Sequence, residues 1–156
     1  MSNDLLYKVA YDEAVRALSE QQAVIESFRT RAGLLFSSAA IAASFLGSQA
    51  LRGSNPNLAS WLALLCFVAV AAASLAVLWP RKWEGTANPR DLIETYIESS
   101  QPAPIEHLHR DLSLHMHDSY LENREGLDQF ATLLQAASGL LTLEVILWMI
   151  AIAIAL

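Results

Sequence analysis

The chain of 156 residues carries a formal net charge of −6; 54% of its residues are hydrophobic and only 17% are charged, where a soluble domain has about 25%. The apolar excess falls in three blocks, which excludes an ordinary soluble globule, and the acidic balance disfavours a protein that grips a long nucleic acid through its phosphates. The single cysteine, Cys66, lies inside one of the blocks and has no partner for an internal disulfide.

Residues 1–31 predict a cytoplasmic amphipathic helix. Tyr7, Tyr11, Ala14, Leu18, Gln21, Ile25, Phe28, Ala32 and Leu35 repeat at alternating steps of four and three, the spacing of a heptad seam. Ser2 or Asn3 is placed to cap its start. No proline or glycine interrupts the segment before Gly33, so the helix is expected to run straight into the first apolar block. Gln21 is a polar residue on an apolar seam, as is Asn123 farther on. Residues of this kind set register and oligomer number at some cost in stability, and the two are expected to meet.

Transmembrane helices are expected at residues 32–51, 58–79 and 130–156. The first two hold no ionisable residue, and the third is broken only by Gln135 and Glu144. Each is about 20 residues or longer, enough to cross a hydrocarbon core of roughly 30 Å at 1.5 Å per residue. A cleaved secretory leader is not expected, because the stretch before the first block contains Asp4, Asp12, Glu13, Glu20 and Glu26.

Between the second and third spans, residues 80–129 form a cytoplasmic helical segment with ten acidic and five basic side chains. Asn88-Pro89 marks a helix start that should run to about Ser99, and Gln101-Pro102-Ala103-Pro104 breaks it. A second long helix then carries Met116, Tyr120, Asn123, Leu127, Phe130, Leu134, Ala137 and Leu141 at heptad spacing into the third span. The expected fold is therefore all-α, an integral membrane helical protein with three transmembrane helices, the first and third continuing into a long cytoplasmic helical stalk.

Nine of the ten basic residues lie before the first span or between the second and third, and only Arg52 lies in the loop between the first two. Basic residues concentrate on the cytoplasmic side. This predicts a multi-pass inner-membrane protein with a cytoplasmic N-terminus and a C-terminus on the outer side.

The intramembrane polar residues are the candidate functional ones. Glu144 sits near the middle of the third span, where an ionised carboxylate costs at least about 2–3 kcal/mol unless paired, hydrated or protonated. It is either a pore-facing or proton-sensitive group or a hydrogen-bonding link between helices. Ser37, Ser44 and Ser48 belong to a stripe of small residues with Gly33, Ala40 and Gly47, suited to close helix packing or, in a homo-oligomer, to lining a narrow hydrated path. Gln135 completes the set. Ala39, Ala43 and Gly47 form a second small row.

All four histidines fall between His107 and His117. His107, Asp111 and His115 share a helix face, but the outer two are about 12 Å apart along the axis, too far for one ion. The cluster is expected to be a solvated or pH-responsive face. No nucleophile–base pair, glycine-rich phosphate loop or metalloenzyme signature is present, so neither an enzyme nor a cofactor nor a metal is expected.

Several stretches resemble the SLATT family, the small transmembrane effectors associated with bacterial nucleotide-signalling defence systems. They are Arg29-Thr30-Arg31-Ala32-Gly33-Leu34-Leu35 leading into a span that closes Ser44-Phe45-Leu46-Gly47, then Leu78-Trp79-Pro80-Arg81-Lys82-Trp83, and Tyr120-Leu121-Glu122-Asn123. Family members have a paired-span core, from which the third span departs. The resemblance implies a membrane effector that oligomerises into a pore or ion channel when infection is sensed, answering a nucleotide second messenger or a cytoplasmic partner protein. The alternative is a non-conducting membrane anchor or sensor that recruits a cytoplasmic partner through its acidic helical segment.

Overall fold

The computed structural model describes residues 3–52, 56–81, 89–98 and 104–155, and every element among them is helical. Helix α1 spans Asn3–Ala50 without a break. Helix α2 spans Leu58–Leu78. Helix α3 is a single turn, Pro89–Leu92, that passes into a π-helical turn, Ile93–Ile97. Helix α4 spans Ile105–Ala155. The segments Leu5–Ala50, Leu58–Leu78 and Ile105–Ala155 are each long and apolar enough to cross a membrane.

The helix ends follow from local chemistry. Asn57 caps α2: its side-chain Oδ1 accepts from the Ser60 backbone N–H at 2.9 Å and from the Ser60 hydroxyl at 3.0 Å, filling a donor that would otherwise be orphaned. Pro80 cannot continue α2, and the Trp79 N–H closes it on the Leu75 carbonyl at 2.9 Å. The middle helix differs from the sequence expectation. It widens after one turn, and the Glu98 N–H reaches back five residues to the Ile93 carbonyl at 2.9 Å. The expected caps at Ser2 and Asn88, Lys82 and Trp83, and the break at Gln101-Pro102-Ala103 lie outside the described residues.

The chain divides into two compact units, residues 1–25 with 81–127 and residues 26–80 with 128–156. In both units the predicted seams are the inner faces of α1 and α4. Each seam residue named above is buried or half-buried. In the first unit Leu18, Gln21 and Ile25 of α1 and Ser119 and Asn123 of α4 are buried. Tyr11 stacks on His109 with ring centroids 5.5 Å apart.

The second unit packs its helices through small residues. Ala39, Val70 and Ala137 form one core cluster; Ala50, Ala59, Ala63, Trp148 and Ala151 form another. The outward faces carry Leu34, Ile41, Phe45, Leu65, Val68, Leu143, Ile146 and Ile154, all exposed. An apolar exterior around a core of small side chains is the reverse of a soluble protein. Such an arrangement suits a lipid solvent, in which tails as apolar as leucine leave van der Waals packing, rather than hydrophobic burial, to hold helices together.

Candidate functional site

The α4 seam does not stop at Leu141. Its next steps fall on Glu144, Trp148 and Ala151, all buried. Glu144 therefore points into the helix bundle, with no solvent exposure at all. Neither of its carboxyl oxygens has a hydrogen-bond partner of good geometry, and neither does the indole Nε1 of Trp148, one turn further on. Cys66, on the buried face of α2, lies within its electrostatic reach. A carboxyl group in such a place has to be offset by a cation, a water or a proton.

The site is built from packing around Trp148. Its ring lies against Gly47 of α1, so close that a Cβ there would meet indole carbons at 3.2 and 3.3 Å. On its other side the indole shares a cluster with Ala59 and Ala63 of α2. Asn57 ties the same end together, its amide donating to the Ala151 carbonyl at 3.2 Å. Glu144 thus sits under a large aromatic lid fixed by two neighbouring helices.

The other polar residues are not gathered around Glu144. Ser37, Ser44 and Ser48 face outward and are exposed. The Ser44 hydroxyl donates to the Ala40 carbonyl at 2.7 Å and that of Ser48 to the Phe45 carbonyl at 2.9 Å. The inward row is the second one, Ala39, Ala43 and Gly47. Gln135 is also exposed and lines an open groove between α1 and α4. In the first unit, the Gln21 amide donates at 2.9 Å to the carbonyl of Tyr120, one turn before Asn123.

Of the histidines, His107, His115 and His117 are exposed, while His109 is half-buried beside Tyr11. Asp111 turns from them to accept a 2.6 Å hydrogen bond from the Tyr96 hydroxyl, which together with partial burial raises the phenol above its ordinary range. Among the described residues no group of three or more metal-ligating side chains is close enough to hold an ion.

Sequence reasoning identified Glu144 but missed Trp148 and Cys66 as its surroundings, and Asn57 as the tie between α2 and Ala151. The signals were present: Trp148 and Ala151 continue the seam, and Asn57 with Ser60 is a capping pair. Compared with family models, curated proteins and solved structures, the chain matches none. What fold and site define is a class, an all-helical protein with three helices apolar and long enough to span a membrane, one of which carries a buried carboxyl group.

Proposed function

We propose that this is a multi-pass inner-membrane effector that assembles into a homo-oligomer and opens an ion-conducting path on a cytoplasmic signal, in a bacterial anti-phage system of the kind its resemblance to the SLATT family implies. The N-terminus and the acidic segment after α2 face the cytoplasm in this reading, and the C-terminus faces outward. The observation that carries it is Glu144, fully buried and with no hydrogen bond of good geometry to either carboxyl oxygen. Anchoring alone gives no reason to keep such a group where an apolar residue would pack as well. The outward serines offer a polar surface that neighbouring copies can share.

The test is ion flux in vesicles holding the full chain, with membrane potential followed in expressing cells. Flux in the wild type and its alteration by Glu144→Gln support the proposal; an unchanged potential and normal growth under every trigger remove it. A non-conducting anchor is the second reading, favoured by the exposed carboxylates of the first unit, among them Glu94, Asp111, Glu122 and Glu125. Under that reading Glu144→Gln leaves partner recruitment intact and there is no flux to change.

A further inference from the structure

The groove between α1 and α4 has a volume of about 600 Å³ and is lined by Arg31, Leu34, Leu35 and Ser38 of α1 and by Leu134 and Gln135 of α4. The Ser138 hydroxyl, also in its lining, donates to the Leu134 carbonyl at 2.8 Å, but two of the groove's polar groups are unused. Among the described residues the guanidinium of Arg31 and the amide of Gln135 have no hydrogen bond or ion pair, although both side chains are exposed. An exposed amide inside an apolar span is costly unless something in the membrane accepts its hydrogen bonds.

The groups stand at different depths. α1 and α4 run in the same direction, since Ala39 clusters with Ala137 and, farther along both helices, Gly47 meets Trp148. That register sets Arg31 level with residues 129–132. Gln135 and Ser38 therefore lie about 5–10 Å deeper, at 1.5 Å per residue. The headgroup layer on each side of a bilayer is of similar thickness, about 5–8 Å. Arg31 is also the last charged residue before the uncharged stretch of α1.

We propose that the groove binds one anionic phospholipid from the adjacent leaflet. Its phosphate pairs with Arg31, its ester carbonyls accept from Gln135 and Ser38, and an acyl chain runs along Leu34, Leu35 and Leu134. Arginine suits the phosphate because its planar fork offers two parallel donors. A second copy would have to bring a carboxylate of its own to Arg31, such as the exposed Asp128 near this level, and cross-linking between copies distinguishes it.

The experiment is native mass spectrometry of the full chain released from nanodiscs containing equal phosphatidylglycerol and phosphatidylcholine. The wild type should retain phosphatidylglycerol over phosphatidylcholine by about fivefold, the effect of one basic side chain at an anionic surface. Arg31→Ala should abolish most of that preference, whereas Gln135→Leu should lower the retention of both lipids and leave their ratio unchanged. Arg52→Ala, the same charge change outside the groove, should leave it intact. Equal retention of the two lipids by the wild type, or an equal loss in Arg52→Ala, overturns the proposal. So does a groove filled by a second copy, seen as efficient cross-linking between Gln135→Cys chains in a Cys66→Ala background with no excess lipid. A chain that stays in the aqueous fraction overturns the membrane reading and this one with it.

Discussion

The outer edge of the Trp148 ring lies against Gly47, with indole carbons 3.2–3.6 Å from the point where a Cβ would stand. A glycine at this position of α1 lets the indole, one turn beyond Glu144, pack close against the helix. Gly33, in the same helix, has nothing within 4 Å of its own hypothetical Cβ. The two glycines should therefore respond to alanine with opposite signs. Gly47→Ala needs the packed indole to give by a few tenths of an ångström. An overpacking cost of about 1–3 kcal/mol against a propensity gain of about 0.5–1 kcal/mol should leave a net loss of about 0.5–2 kcal/mol. Gly33→Ala gains helix propensity and should stabilise by about 0.5–1 kcal/mol. Thermal unfolding in detergent, followed by circular dichroism, checks both signs.

Glu144→Leu should separate stability from function. Replacing an unpartnered buried carboxyl group with an apolar side chain of similar volume is commonly neutral or stabilising, by about 1–4 kcal/mol. The expected outcome is an equal or higher unfolding temperature with loss of ion flux. A lower unfolding temperature would mean that the carboxyl group has a partner in the assembled protein.

Asn57 has two tasks, capping α2 through Ser60 and reaching the Ala151 carbonyl on α4. Asn57→Ala removes both and should cost about 1–2 kcal/mol. Asn57→Asp keeps the cap but loses the donor to Ala151, so it should recover about half. The same unfolding assay orders the three proteins.

The Tyr96–Asp111 hydrogen bond predicts a dependence on alkaline pH. The Tyr96 phenol is raised, first because it donates to the Asp111 carboxylate and then by partial burial and the negative charge beside it. A group whose pKa is higher folded than unfolded contributes stability at pH values below its unfolded pKa, near 10. That contribution is lost as pH climbs through the folded value. Of the four tyrosines, Tyr96 should then ionise late in an ultraviolet absorbance titration, and Tyr96→Phe should remove that late step. Asp111→Asn should move it to lower pH; a late step that persists unchanged in both variants would refute the assignment.

Much of the architecture could be read from residue order alone, because its causes are local or periodic. Apolar runs of about 20 residues or more mark the three helices long and apolar enough to cross a membrane. Pro80 and Pro104 mark boundaries because proline cannot continue a helix from within. The seams from Tyr7 and Met116 show which faces turn inward, as side chains repeat every three or four residues. The π-helical turn at Ile93–Ile97 escaped this reading, since its hydrogen-bond pattern leaves no distinct spacing in so short a segment.

The site was decided in three dimensions. The α1 seam carried on from Leu35 falls on Ala39 and so already favours the row Ala39, Ala43 and Gly47. What only the fold supplies is that Trp148 and α2 cover this row while Ser37, Ser44 and Ser48 stay outside. The setting of Glu144 likewise depends on residues distant in the chain, Cys66 among them, which no local pattern couples to it. Periodicity states which face of a helix is buried; which neighbour covers that face, and at what depth, is settled by steric fit among helices that meet only once the chain has folded.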